Sequence, residues 1–386
     1  MSDAAQIGIG IIGAGFISQI YLENLTDRLK TPEVPVIGIA DIVPAAAQAR
    51  AEAFDIAALT VDELLAHPDI HVVLNLTIPA AHAEIGLRAV AEGKSVYTEK
   101  PLTSTREDGQ RLLALAQEQG VRVGGAPDTF LGAGIQTVRK LIDDGAIGTP
   151  VAASGAMLSS GHESWHPNPA FYYQPGAGPM FDMGPYYLTA LVSLLGPIAR
   201  VSSSARASFP TRTITSEPRA GETIDVNTPT HIAATLDFAN GAIGTLTTSF
   251  DTWDTDHSLL TIYGEHGAIR VPDPNTFAGP VQLLRAGDPR AKVWEDVPLI
   301  AGHPENARGL GVLDLAHAIR TGGPQRASGE LAYHVLDVMH ATLESSAEGR
   351  HIEIASTVER PAPFDGTFSR DPSAGRVPLH RPGDAT

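Results

Sequence analysis

The stretch from Ile7 to Ser18 restricts the fold of this chain more than any other. Ile7 to Ile12 is an apolar run interrupted by glycine, and it leads into Gly13-Ala14-Gly15-Phe16-Ile17-Ser18. Apolar residues then recur at helical spacing as far as Leu29. Strand, glycine loop and helix in that order form the first βα unit of a dinucleotide-binding sheet. The first glycine permits the tight turn and the second lets backbone approach a pyrophosphate. The third position, here Ser18, must be small enough for helix to pack on strand. The helix N-terminus beyond the loop favours an anion. Gly13, Gly15, Phe16 and Ile17 are therefore the expected contacts of a dinucleotide.

The pattern continues in kind. A second strand over 34–40 ends at Asp41, whose carboxylate can hold both ribose hydroxyls of adenosine and would repel a 2′-phosphate. Ile42-Val43-Pro44 sets no arginine directly beside it, so NAD is expected over NADP. Capping the helix over 45–54 is the other use open to Asp41. Thr60-x-x-Glu63 is a capping box, and a strand over 72–76 leads through Asn75-x-Thr77-x-Pro79-x-x-His82 into the next helix. A strand over 95–98 precedes Glu99-Lys100-Pro101, followed by an amphipathic helix over 105–119 and a strand over 121–124. Alternating strands and helices predict a parallel, doubly wound sheet in residues 1–125. Lys100 would stand at the carboxyl end of one of its strands, where such sheets bind ligands. Beside a cationic nicotinamide its ammonium is expected to give up a proton more readily than a surface lysine. Pro101 fixes the chain direction after it.

Beyond Gly148-Thr149-Pro150 the pattern changes to strands without intervening helices, over 151–157, 231–238, 242–250, 258–263 and 268–271. Helices return over 309–321 and 330–348, and the Pro-, Arg- and Gly-rich residues 358–386 read as an irregular arm. Residues 126–386 are thus expected to form an α+β domain with a large, open and mostly antiparallel sheet.

Two stretches of this second half can carry chemistry. Gly161-His162-Glu163-Ser164-Trp165-His166-Pro167 contains H-E-x-x-H, a zinc signature only when a helix puts both imidazoles on one face. Gly161 before it and Pro167 and Pro169 after it oppose that helix, so no metal is expected. A tryptophan between two histidines suits a sugar, with an apolar ring face beside imidazole donors; a packed Trp165 in a plain loop is the competing reading. The second stretch is Asp182-Met183-Gly184-Pro185-Tyr186, at the start of a helix that Gly196-Pro197 stops.

Taken together, the glycine loop, Glu99-Lys100-Pro101 and Asp182-x-Gly-x-Tyr186 resemble the glucose-fructose oxidoreductase / inositol dehydrogenase / MocA-like (Gfo/Idh/MocA) family. The resemblance covers most of the chain. It implies that Lys100, Asp182 and Tyr186 are catalytic, with Tyr186 in a place where many members have histidine. Tyrosine is a weaker acid, and Lys100 and the nicotinamide are expected to lower its pKa. The resemblance also lays Thr77, Pro79, His82 and Glu99 along the cofactor. Where many members carry asparagine and arginine after the strand over 121–124, this chain has Asp128-Thr129, which become candidate substrate contacts or a helix cap. His162, Trp165, His166, Tyr172 and Tyr173 complete the expected substrate site.

The implied activity is NAD-dependent hydride transfer at a secondary hydroxyl or ketone of a sugar, cyclitol or glycoside. Two alternatives stand beside it: a glycosidase that uses NAD transiently, as some family relatives do, and a non-catalytic NAD or sugar sensor. The chain of 386 residues has no cysteine, which excludes disulfides, thiolate metal sites and a cysteine nucleophile. A net charge of −17 disfavours nucleic acid and anionic membranes as partners. The start, without a basic segment or twin arginine, gives a cytoplasmic expectation. The open sheet suggests a homodimer or homotetramer.

Overall fold

A computed structural model of the chain describes residues 6–253, 256–287, 292–300 and 302–368. The arm expected from residue 358 is described as far as Phe368; residues 369–386 lie outside the described residues.

Strands β1 (Gly8–Ile12), β2 (Val36–Ala40), β3 (Ala57–Leu59), β4 (Ile70–Asn75), β5 (Ser95–Thr98) and β6 (Val123–Gly125) form one sheet in the order β3-β2-β1-β4-β5-β6. Every pairing is parallel. Both faces are covered, so alternate residues feed two cores: Ile9, Ile11, Val72, Leu74 and Tyr97 enter one, Ile12, Val73 and Val96 the other. The connecting helices are α1 (Ser18–Glu23), α2 (Pro44–Phe54), α3 (Val61–Ala66), α4 (Pro79–Ala91) and α5 (Arg106–Gln119). Local signals set their ends. The Thr60–Glu63 capping box forms at α3, Thr105 caps α5 by accepting from the Asp108 N–H, and Gly120 ends α5 at a φ of +68°. The helix expected through Leu29 is shorter, because after Glu23 the chain widens into a π-helical turn, Asn24–Arg28. β1 lies between β2 and β4, so the chain reverses direction across the sheet there and opens a crevice above the strand ends.

The second half runs through α6 (Ala133–Asp143), β7 (Pro150–Leu158), α7 (Gly178–Asp182), α8 (Gly184–Leu195) and β8 (Ile198–Arg206). A hairpin of β9 (Thr211–Thr213) and β10 (Thr223–Asp225) follows, then β11 (His231–Phe238), β12 (Ile243–Ser249), β13 (Leu260–Gly264), β14 (Gly267–Val271), β15 (Val281–Arg285) and β16 (Glu295–Val297). The chain closes with α9 (Leu310–Thr321), α10 (Gly329–Glu348) and β17 (Ile352–Glu353). Nine strands make one sheet, β16-β15-β14-β13-β7-β12-β11-β8-β17, antiparallel except for the β7–β12 pair. Helices α6, α7, α8 and α10 pack on one face. On the other, Ser202, Thr235, Thr245 and Ser154 stand in register across four strands, a row of small polar groups left open.

The two halves share a core. The largest apolar cluster runs from Ile9 and Tyr97 through Leu191 and Leu246 to Leu336. α10 returns to pack on α5 and β6 as well as β8, and Arg106 Nε meets Asp337 Oδ1 at 2.6 Å. Among the described residues no helix is long and apolar enough to cross a membrane.

Candidate active site

The crevice above β1 and β4 fits a dinucleotide. Gly13 turns at a φ of +111°, and a side chain there would strike the Leu76 carbonyl at 2.5 Å, whereas a Cβ on Gly15 would meet nothing within 4 Å. The first glycine is required by the turn; the second leaves backbone bare for a ligand. Ser18, fully buried, donates to the Gly15 carbonyl at 2.7 Å and fits the third position. Asp41 accepts from Ala14 N at 2.7 Å and from Val43 N at 2.8 Å, so its carboxylate is held against the loop. α2 begins at Pro44 without a side-chain cap. Phe16 and Ile42, 95% and 93% exposed, stand free beside the loop, with Ile78 exposed at the end of β4. Ile17 is half-buried against the core, Thr77 donates its hydroxyl to Asn75 Oδ1 at 2.7 Å, and Pro79 opens α4. Arg50 on α2, which no motif marked, reaches Gln19 and the Gly15 carbonyl, bringing a cation to the loop.

At the end of β5 the two halves meet. The Lys100 ammonium donates to the Asp182 main-chain oxygen at 2.6 Å and to Asp182 Oδ1 at 2.9 Å. It stands 5.3 Å above the centre of the Tyr186 ring. α7 delivers Asp182 at its last residue and α8 delivers Tyr186 in its first turn, so one short break in the helix sets both side chains. Glu99 Oε2 accepts from the Lys100 N–H at 2.9 Å, and its Oε1 accepts from the fully buried Tyr21 hydroxyl at 2.8 Å. The Lys100–Pro101 peptide is cis. Arg308, just before α9, sets its positive charge beside the Tyr186 phenol and anchors on Asn275 Oδ1 at 2.8 Å.

Charge states follow from these contacts. Burial pulls the Lys100 ammonium down, but Asp182, Tyr186 and Glu99 outweigh it and hold its pKa above the ordinary lysine value. Burial raises the Asp182 carboxyl, and Lys100 with His162 overrides it to a pKa well below the carboxylate range. Burial raises Tyr186 and is only partly countered by Lys100 and Arg308. In the protein alone both groups have pKa values above their ordinary ones, because Lys100 is paired and Tyr186 is dry; the lowering expected beside a nicotinamide belongs to the cofactor-loaded site.

The Gly161–Pro167 stretch forms bends and turns. Glu163 Oε1 pairs with Arg212 Nη1 at 3.0 Å. Arg212, on β9 and unmarked in sequence, also bonds Asp251 and donates to the Phe250 and Ser160 carbonyls. It thereby clamps the loop to the strand end. The clamped loop presents His162, whose Nε2 is 3.5 Å from Asp182 Oδ2. The imidazole stacks on Tyr172 at 3.7 Å and meets the edge of Phe250 at 4.5 Å. Tyr172 is pushed up to about 12, first by burial and then by Asp182. Trp165 leans on His162 at 5.3 Å and is 62% exposed; His166 Nδ1 accepts from Asn168 N at 3.0 Å.

Three expected ligand contacts are used by the fold instead. His82 is buried with Nδ1 2.7 Å from the Pro101 carbonyl and Nε2 3.0 Å from the Thr77 carbonyl. It ties two crevice loops together from below and has no nitrogen left for a cofactor. Asp128 is buried and accepts from the Gly309 and Gly311 N–H groups at 2.8 and 3.0 Å. It therefore closes the start of α9 rather than capping the helix over 135–143, and its Oδ2 is used by those two N–H groups. Burial raises its carboxyl to about 6, against those two bonds and Arg308. Tyr173 is fully buried among Ile214, Ile224 and Phe250, with its hydroxyl accepting from His162 N at 3.3 Å.

Comparison with known proteins bears on the family and the fold. Residues 7–125 fit the model of an oxidoreductase family with an NAD-binding Rossmann fold, and residues 135–270 fit the GFO/IDH/MocA C-terminal domain. Inositol 2-dehydrogenase of Ralstonia nicotianae is 34% identical over 165 residues, 40% of this chain and 45% of that relative, so the match spans under half its length. Levoglucosan dehydrogenase of Pseudarthrobacter phenanthrenivorans is 24% identical over 394 positions, covering 90% of this chain and 98% of the relative. Among solved structures, levoglucosan dehydrogenase with NADH and L-sorbose superposes with a TM-score of 0.78 at 21% identity, over 91% of this chain and 99% of that one. Aldose-aldose oxidoreductase from Caulobacter crescentus gives 0.74 at 20% identity, over 90% and 99%.

Proposed function

Because the chain belongs to the GFO/IDH/MocA family of NAD-binding oxidoreductases, we propose that it moves a hydride to or from a secondary carbinol carbon of a sugar, cyclitol or glycoside. One observation carries the reading. Lys100 spends two of its three N–H donors on Asp182, leaving the third for a reacting oxygen at the mouth of the crevice. NAD, held by Gly13, Gly15, Phe16 and Asp41, supplies or accepts the hydride when bound.

The residues do the rest. Asp182 fixes the ammonium in place, and Lys100 polarises the substrate oxygen. Tyr186, under Lys100 and beside the Arg308 charge, carries the proton. With both groups protonated, the site is armed as an acid for ketone reduction; oxidation requires one of them to give up its proton first. His162, against Asp182, holds the far side of the ring. The open row of serines and threonines on the large sheet supports pairing of copies into a homodimer or homotetramer, and the cytoplasmic expectation is kept.

A second reading, redox-neutral glycoside cleavage, draws on His162: an imidazole against Asp182 is a group that could take a C–H proton beside an oxidised carbon. Incubating the enzyme and NAD with a chromogenic glycoside separates the two. Net oxidation accumulates NADH in step with substrate consumed and frees no aglycone. Aglycone release over many turnovers with substoichiometric NAD would replace the first reading by the second.

A further inference from the structure

The site does not end at the sugar. From His162 an aromatic shelf runs outward: Tyr172 stacks on the imidazole within 10° of parallel, and Phe171 leans on Tyr172 at 4.0 Å. His166 meets Trp165, Phe171 and Tyr172 edge-on at 5.3, 5.5 and 5.3 Å. The outer rings are in water, Trp165 62% and Phe171 52% exposed. An aromatic cluster that begins on a catalytic carboxylate and ends in solvent has the form of a binding surface continuous with the active site.

The polar groups around the shelf say what it takes. Asn168 N donates to His166 Nδ1, Arg219 holds Asn168 Oδ1 and Glu222, and Ser216 Oγ donates to the His166 carbonyl at 2.6 Å. These donors and acceptors are spent on each other, and the two exposed outer rings, Trp165 and Phe171, carry only the indole N–H between them. That is little polar recognition for a second sugar, and a phosphate would need an unpaired cation; the bordering guanidinium is already paired with a carboxylate. Ring faces are most of what the outer shelf offers.

We infer that the shelf formed by Trp165, Phe171 and Tyr172 is an aglycone subsite, and that the substrates are glycosides carrying a planar, uncharged aromatic group. The sugar sits on Lys100 and Asp182 and the aglycone lies outward across the rings. This deepens the proposed function and rests on the reading of the inner site as a sugar site.

The test compares 4-nitrophenyl and methyl β-D-glucopyranosides, with cellobiose as the sugar-on-sugar control, on the NAD-loaded protein. Affinity is read by calorimetry and turnover by absorbance. The wild type should favour the nitrophenyl glycoside at least about tenfold over both others, about 1.4 kcal/mol. Phe171→Ala and Trp165→Ala should each lower that ratio several-fold, and the double variant should bring it close to one. A wild-type ratio near one, an equal preference for cellobiose, or a ratio unmoved by the substitutions would overturn the inference. So would loss of oligomer mass by light scattering in the variants, which would make the shelf a contact between copies. If calorimetry gives the expected ratios while none of the sugars is oxidised or cleaved, the subsite stands and the proposed reaction falls.

Discussion

The two halves of this molecule offer opposite kinds of surface to a ligand. Around β1 and β4 the surface offered is mostly backbone, with glycines that turn sharply or leave room and a single carboxylate held by N–H groups. Around α7, α8 and the 159–173 loop it is nearly all side chain: a carboxylate, a phenol, an imidazole and a row of rings. Backbone recognition tolerates many sequences provided the glycines stay. Side-chain recognition depends on loops whose position is set elsewhere, here by Arg212 on Glu163 and Asp251. Lys100 is the point of contact, a residue of the parallel half whose ammonium is bound by the other. Substitutions in the first half should therefore act on cofactor affinity, those in the second on turnover, and Lys100 should break that division.

The largest effect belongs to Lys100. Lys100→Ala should cost turnover about a thousandfold or more, by removing the donor to the reacting oxygen and leaving Asp182 with His162 alone. Retention of a tenth of wild-type kcat would show that the reacting oxygen lies elsewhere. Tyr186→Phe comes next, at about a hundredfold in kcat with the NAD dissociation constant unchanged. The pH dependence sharpens this. Lys100 and Tyr186 both have raised pKa values, so the rate of alcohol oxidation should climb as pH rises above neutrality, and ketone reduction should fall off on the alkaline side. An oxidation rate flat from pH 6 to 10 would remove Tyr186 from proton transfer.

A smaller effect tests a polar residue spent on the fold. Asp128 in the folded protein titrates near 6, above the ordinary carboxyl value of about 3.9. In that window the native state holds a proton that the unfolded chain has lost, so the wild type should lose stability as pH rises from about 4 to 6. Asp128→Asn should flatten this loss, of the order of 2 kcal/mol, in denaturant melts across the range; parallel curves would mean that Asp128 does not titrate as described. The smallest expected effect concerns cofactor choice. NAD should bind at least about tenfold more tightly than NADP, about 1.4 kcal/mol, because a 2′-phosphate would face Asp41. Arg50 opposes that preference, so Asp41→Ser should narrow the gap and Arg50→Ala should widen it, as titration of both cofactors would measure. Equal affinities in the wild type would separate Asp41 from the ribose.

Much of the parallel half was readable because each of its elements announces itself locally. The glycine loop and the Thr60–Glu63 box lie where the sequence puts them, and the helix expected over 105–119 runs from Arg106 to Gln119. β8 was not readable: Val201-Ser202-Ser203-Ser204-Ala205 carries too little apolar side chain, yet it makes a strand because one face packs on α10 and the other lies open. The second sheet is mostly antiparallel, as expected; its one parallel pair among the described residues, β7–β12, joins strands remote in sequence and has no local signal. His82, Asp128 and Tyr173 have side-chain types that suit a site, and only burial and partners reveal that the fold consumes them. Arg308 and Arg212 gave no signal, since a lone arginine outside a motif is ordinary.

By itself, then, the sequence determined what depends on neighbours a few residues apart: the dinucleotide turn, the alternation that makes a parallel sheet, and the three residues Lys100, Asp182 and Tyr186 as a candidate set. Tertiary structure alone decided what depends on distance between remote segments. It brought Lys100 onto Asp182 across the junction, raised the pKa of both Lys100 and Tyr186 by pairing one and drying the other, and laid His162 against Asp182 through a clamp from β9. The physical reason is range. Backbone geometry and capping act within a turn of chain, whereas Coulomb pairing, desolvation and ring stacking depend on which segments the fold places side by side.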